Sequence, residues 1–292
     1  MRRTGAAVAP LAALLACSTP DPLPAPAPAA APKPAAGAAY SGAIFLEGAL
    51  EQGGWLRGRV PPGTARLTLG SVRVPFDAEG RFFAGIDRDA PATLRITGSA
   101  ANGQTISRDL SVLPRQWQIE RVNVPLRGSV PSETFMAIRR PELAAIEAAR
   151  ARRSDSAGWL QPFVWPVKGR ISGRFGSQRI YQGVPGAYHS GLDITTGGSG
   201  AAYVAPADGV VVLAAQKPFS LEGNLLIIDH GMGLNSAFLH SSRLAVKQGD
   251  RVRQGQLLGY IGATGRASGP HLHWSLKWQD ARLDPLLFLP PQ

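Results

Sequence analysis

A single cysteine in 292 residues leaves no possibility of an intrachain disulfide, so packing or a metal must hold the fold. Long apolar runs are missing as well: the one from Ala6 to Ala16 is too short to cross a bilayer as a stable helix. Acidic residues are scarce, 20 against 31 Lys and Arg, and the net charge of +11 favours polyanionic partners. There is no dense Lys/Arg block and no nucleic-acid motif, which sets nucleic acid aside and leaves an anionic cell wall or membrane surface. Histidine is rare too, five in all, and none lies between residues 40 and 127. What is plentiful is glycine (34) and proline (25), a composition that favours turn-rich β structure over helix bundles.

The first 39 residues divide in two. Residues 1–17 read MRRTGAAVAPLAALLAC: two arginines, an apolar stretch, then Cys17, the layout of a secretory signal. Leu14 to Cys17 resembles a bacterial lipobox, in which the cysteine is lipidated and becomes the mature N-terminus; cleavage as an ordinary signal peptide is the alternative. Ser18 after the cysteine implies the outer membrane by the same resemblance, so the expected location is periplasmic with an N-terminal lipid anchor in that membrane. Residues 18–39 are almost entirely Pro and Ala and cannot bury a core. At roughly 3.1 Å per residue such a tether reaches some tens of Å.

Residues 40–127 alternate apolar and polar residues in short runs such as ARLTLG and TLRITG, with turn chemistry at Asp77–Gly80 and Ala101–Gly103. These predict a small β-sandwich, an accessory domain for targeting, spacing or wall contact, with Trp55 and Trp117 as core residues. A connector helix is expected within 131–156, with Pro141 in its first turn, Glu early and a solvated, Arg-rich end. Residues 159–292 are strand-like again and hold every histidine, so the chemistry belongs there.

In YHSGLDI, His189 and Asp193 are four apart, which on a strand places both on one face, with Gly191 leaving room between them. In GPHLHWSLKW, His271, His273 and Ser275 face one way and Leu272, Trp274 and Leu276 the other. Trp274 and Trp278 read as packing residues, and His230 as a structural histidine. His and Asp together suit a borderline divalent ion such as zinc. Each pair alone is weak; His240, ending the apolar run of NSAFLHSS, joins them in one constellation.

The stretches YHSGLDITT, VAPADGVVVLAA, LLIIDHGMGLNSAFLH, VKQGDRVRQGQLLGYIGATGRASGPHLHW and RLDPLLFL, in this order between about Trp165 and Leu289, resemble the lysostaphin and LytM-type zinc metallopeptidases, which are peptidoglycan endopeptidases. The overall layout is similar to exported alphaproteobacterial members. The resemblance implies a mainly β fold, with a C-terminal antiparallel sheet of barrel-like form after the sandwich and helix. It implies one Zn²⁺ per chain on His189, Asp193 and His273, with a fourth tetrahedral position open. It implies His240 and His271 as the two further catalytic histidines, one taking the proton of the attacking water, with His271 favoured, the other stabilising the oxyanion or serving the leaving amine. Groove walls are expected at loops 176–188, 214–223 and 262–270.

Two positions depart from the family pattern: Trp274-Ser275 where an aromatic and a Glu are usual, and Phe238 where Tyr is usual. A second reading therefore stands beside the enzyme, a silent regulator of this fold that activates a cell-wall amidase or works with division proteins. Relatives of that kind have lost the ligands, and all five positions are kept here. A biotinyl- or lipoyl-carrier domain is set aside, because no lysine occupies the hairpin tip that would carry the group.

Overall fold

The computed structural model describes residues 40–125 and 132–292, so Cys17, the leader and the Pro/Ala tether lie outside the described residues. In chain order the first part contains β1 (Phe45–Ala49), β2 (Trp55–Arg59), β3 (Thr64–Leu69), β4 (Val72–Val74), β5 (Arg81–Gly85), β6 (Thr93–Ala100), β7 (Thr105–Ser111) and β8 (Ile119–Val122). Two antiparallel sheets form, ordered β1-β2-β5 and β4-β3-β6-β7. The expected alternation is visible: Leu67, Leu69, Val74, Ile96 and Leu110 point into the core, while Arg66, Arg73, Arg95 and Ser107 point out.

The eighth strand behaves differently. β8 leaves both sheets and pairs in parallel with β10 (Gln178–Tyr181), Ile119 opposite Gln178 and Val122 opposite Tyr181. Sequence patterning places residues 119–122 with the strands before them, yet their hydrogen-bond partners come from some 60 residues further on. Trp117 does not enter the core either. It lies half-buried over Gly176, between the guanidinium groups of Arg88 and Arg115 at 5.0 and 4.7 Å.

α1 (Glu133–Ala151) starts at Ser132, whose hydroxyl accepts from the Phe135 amide at 3.1 Å. Pro141 sits in the middle of the helix, not in its first turn: the cap at Ser132 and the helix-forming run before the proline carry the helix through it. Pro141 is exposed, so the carbonyl it leaves unpaired, that of Ala137, is also on the solvent side. Ile146 and Ala149 pack on Val212, Leu225, Ile227 and Ala237. The Arg-rich end is not simply solvated, since Arg150 is drawn into this interface and burial lowers its pKa.

The remaining strands are β9 (Arg170–Gly173), β10, β11 (Val184–Pro185), β12 (Leu192–Thr195), β13 (Ala202–Val204), β14 (Gly209–Ala214), β15 (Asn224–Asp229), β16 (Leu234–Ser241), β17 (Arg243–Leu244), β18 (Arg251–Val252), β19 (Leu257–Tyr260), β20 (Leu272–Trp278) and β21 (Ala281–Leu283). The main antiparallel sheet runs β18-β14-β15-β16-β20-β12-β9, with β21 on β20 and a small sheet β13-β19-β17 beside it. Trp274 and Trp278 face inward as expected. Trp274 stacks on Phe238 at 6.3 Å and donates its indole N–H to Ser236, and Trp278 donates to the Met232 carbonyl. Phe238 thus fills the core at the position where the metallopeptidases that the sequence resembles have Tyr, and exposes no hydroxyl.

One continuous core runs from Ile44 to Phe288 and joins the first two sheets to the C-terminal ones. Trp55 bridges them: its ring packs on Phe83 and Phe288, and its Nε1 donates to the Leu287 carbonyl at 2.9 Å. Residues 40–292 should therefore unfold in a single transition. Trp55→Ala should lower stability by about 2–3 kcal/mol, the cost of deleting a large, partly buried aromatic. Urea denaturation checks this, and two separate transitions in the native chain would contradict the shared core.

Candidate active site

β12 lies between β9 and β20 in the sheet, and its register sets Asp193 directly opposite His273, with Leu192 opposite Trp274. Cross-strand partners on one face touch, so the strand pairing alone brings the carboxylate to the imidazole: His273 Nδ1 is 2.8 Å from Asp193 Oδ1. His189 arrives by another route. It lies before β12, on irregular chain, where a strand was expected. Its backbone is clamped by the 174–177 turn, with Ser177 O accepting from its N–H and its own carbonyl accepting from Gly176 N, both at 2.8 Å. The His-x-x-x-Asp spacing works through this turn rather than through strand periodicity.

The three donor atoms converge. His189 Nε2 is 3.1 Å from Asp193 Oδ1 and 3.1 Å from His273 Nδ1. A tetrahedral zinc with bonds of about 2.0–2.1 Å has ligand edges of about 3.3 Å, so the spacing suits one small cation. The hydrogen bonding says the same. His189 Nδ1 donates to the Arg174 carbonyl at 3.0 Å, which turns the Nε2 lone pair of the neutral ring inward, against a carboxylate oxygen and a second imidazole nitrogen. Inward-facing lone pairs at this distance need a proton or a metal among them.

The electrostatics follow from the cluster. Burial alone would raise the Asp193 carboxyl, but its close contacts with the His189 and His273 imidazoles prevail and hold it well below the usual carboxylate range. Burial would likewise lower His189, yet the Asp193 carboxylate raises it. His273 is lowered, chiefly by burial. Asp193 is thus anionic throughout the working pH range.

His240 and His271 face the cluster with ring centroids 5.0 Å apart. His271 Nδ1 donates to the Gly269 carbonyl and His240 Nδ1 to the Thr264 carbonyl, each at 2.8 Å, so both neutral rings present an Nε2 acceptor. His271 Nε2 lies 3.7 Å from Asp193 Oδ1. His240 adopts φ +64°, a left-handed conformation that costs a non-glycine residue energy and recurs at functional sites. The fifth histidine, His230, is fully buried and bonded to the Asp208 carbonyl and the Ser236 hydroxyl, the structural part expected of it.

Glycines make the space. A Cβ on Gly191 would come within 2.6 Å of His273 Nε2, so this glycine makes room for His273 rather than for the gap between His189 and Asp193. A Cβ on Gly173 would strike the Asp193 carboxylate and approach His189 Cε1 at 3.1 Å. Gly173 carries no sequence signal for this role, since its neighbours in space come from another strand.

The cluster opens onto a groove bounded by His240, His271 and Arg266–Ser268. It continues along Arg179, Tyr181, Tyr188 and residues 118–120 at the start of β8. Segments 176–188 and 262–270 are therefore walls as expected. The stretch 214–223 is not: it backs the 262–270 segment from behind, while β8, unforeseen, supplies a wall.

Residues 187–285 match the model of Peptidase family M23. Over 115 residues the chain is 38% identical to the peptidoglycan DD-endopeptidase ShyA of Vibrio cholerae, covering 38% of this chain and 26% of that protein. It is 30% identical over 173 residues to the murein hydrolase activator NlpD of Salmonella dublin, covering 59% of this chain and 43% of that one. This chain therefore spans less than half the length of either relative. A crystal structure assigned to peptidase M23 from Pseudomonas aeruginosa superposes with TM-score 0.61 and 29% identity, over 82% of this chain and 93% of that one, so the likeness extends well beyond residues 187–285.

Proposed function

Because residues 187–285 form a Peptidase family M23 domain, we propose that this chain is an exported zinc metalloendopeptidase that hydrolyses peptide bonds in the stem or cross-link peptides of peptidoglycan. One observation carries the reading: three metal-type donors and two further histidines, from three separate stretches of chain, meet at the mouth of one groove. His189, Asp193 and His273 would hold the ion. When bound, zinc supplies Lewis acidity that lowers the pKa of a water and polarises the scissile carbonyl. The extended walls along β10 and β8 orient the peptide. His271, nearer Asp193, takes the proton of the attacking water at Nε2 and returns it to the leaving amine, while His240, whose ring proton is engaged by the Thr264 carbonyl, accepts a hydrogen bond from that water at Nε2 instead of serving the oxyanion. The Nδ1 bonds to Gly269 and Thr264 keep both rings turned for this.

The location proposed is the periplasm, with Cys17 lipidated at the outer membrane and the Pro/Ala segment giving reach to the wall. The second reading, an activator of a cell-wall amidase, is favoured by the similarity to NlpD over 59% of this chain. Incubation of the purified chain with isolated peptidoglycan, with products identified by mass spectrometry, separates the two. New peptide ends that vanish on chelation support the endopeptidase. Zinc binding without any cleavage, together with stimulation of an added amidase, supports the activator.

The pH dependence has a defined sign. His240 is held below the ordinary imidazole value, first by burial and then by His271 and His273. It is uncharged near neutrality and gains a proton only as pH falls below about 6.5, the unperturbed histidine value. Cleavage should be on a plateau near neutrality and decline on the acid side of that value. Asp193 contributes nothing to this limb, being ionised throughout. A rate already falling between pH 8 and 7 would contradict the assignment, and kcat/KM against pH measures it.

A further inference from the structure

We propose that Arg139 and Glu222 are positioning residues for His240, so that helix α1 acts on the active site through this ion pair. The inference rests on the reading of His240 as a catalytic group. Arg139 is nearly buried, and its two terminal nitrogens each contact one oxygen of Glu222 at 2.6 Å. Its Nη1 also reaches Glu142 Oε2 at 2.9 Å. Glu142 in turn accepts from the Ser220 amide at 2.6 Å and the Ser220 hydroxyl at 2.5 Å. Two side chains one turn apart on α1 therefore grip the short loop 219–224 at two points.

That loop underlies the catalytic side of the groove. The Glu222 carbonyl accepts from the His240 amide at 2.9 Å, and the Leu221 carbonyl from the Arg266 amide at 2.9 Å. Asn224 N donates to Thr264 Oγ1 at 2.9 Å, and the Thr264 carbonyl takes the His240 Nδ1 proton at 2.8 Å. Gly223, at φ +66°, lies so close to Thr264 that a Cβ would overlap it. The backbone and the ring of His240 are thus both fixed by groups that contact this one loop. His240 needs such support because its left-handed backbone persists only where the surroundings enforce it.

The ion pair supplies that enforcement. Bidentate Arg–carboxylate contacts fix direction as well as distance, and removing one partner of a shielded pair leaves a charge without compensation. Nothing in the pair touches the groove, so any effect on cleavage passes through the loop. Ile138 and Leu143, exposed on α1 to either side of the grip, do not line the groove either.

The test uses the full chain with Arg139→Ala, the near-isosteric Glu222→Gln, and Arg140→Ala as a helix control, whose partner among the described residues is exposed Glu133. Arg139→Ala and Glu222→Gln should lower kcat by about 10- to 100-fold, the scale of a displaced catalytic group, with KM within about twofold and zinc content unchanged. Arg140→Ala should behave as wild type. In a His240→Ala background the further loss from Arg139→Ala should shrink to less than about twofold, because both changes remove the same function. A full-sized additional loss there, or an unchanged kcat in the single variants, overturns the proposal. If His240→Ala itself leaves cleavage intact, the catalytic reading has failed instead. The His240 Nδ1–H NMR resonance, which reports the bond to Thr264 whether or not the ring is catalytic, then decides the positioning claim. A shifted or exchange-broadened signal in Glu222→Gln upholds it, and an unchanged one refutes it.

Discussion

On the proposed mechanism, His273→Ala should abolish both bound zinc and peptidoglycan cleavage while leaving the fold in place. His273 Nδ1 is the donor that strand register sets against Asp193, and its removal leaves two ligands, too few for a catalytic site built on three protein donors. The expected loss of kcat/KM exceeds about 10³-fold, since both the activated water and the polarised carbonyl disappear together. The neighbouring core is independent of the change: Trp274 and Leu272 point to the opposite face of β20 and are fully buried there. Zinc content by elemental analysis, cleavage of isolated wall and a urea midpoint are measured on one preparation. Zinc retained at about one per chain would remove His273 from the ligand set. Unfolding of the variant would be uninformative about ligation, and Asp193→Asn, which keeps size and removes charge, then answers the same question.

The second large effect separates chemistry from ligation. His271→Ala should keep zinc and lose cleavage by about 10²–10⁴-fold, the usual range for a general acid–base group. Its Nε2 stands 3.7 Å from the Asp193 oxygen that the two ligand histidines also contact, close enough to reach a water in the groove but not one of the three converging donors. His240→Ala should follow the same pattern, with zinc kept and kcat reduced. Loss of zinc in His271→Ala equal to that in His273→Ala would place His271 among the ligands and collapse the distinction. Activity within twofold of wild type would instead remove it from the mechanism and leave His240 to act alone. Either result is read from the same two measurements, and both differ from the pattern of an amidase activator, in which none of the three histidine variants changes a cleavage rate that is absent to begin with.

Much of the site could be read before any coordinates. The two-residue period of β20 places His271 and His273 on one face and both tryptophans on the other, and the structure shows that arrangement. The packing roles of Trp274 and Trp278 follow from the same period, as does the structural part of His230 from its place beside a buried strand. His189 is the instructive exception. Its spacing to Asp193 was right for convergence, but the convergence comes from a turn held by Gly176 and Ser177, not from a shared strand. Spacing along the chain reported the outcome without its cause.

Local alternation and the restriction of histidine to one half of the chain determined the mainly β architecture and the region that carries the chemistry, because burying one face of a strand needs only a period of two. Everything that depends on pairing across long separations was decided by the tertiary structure. β8 crosses to β10 and becomes a groove wall because its backbone hydrogen bonds are satisfied there. Gly173 is required by a carboxylate twenty residues away in sequence and a contact away in space. Arg139 reaches the loop behind His240 only because α1 docks on β14 and β15. A side chain's period shows which way it faces, whereas its partner depends on which distant segment the core brings alongside, and that is a property of the whole folded chain.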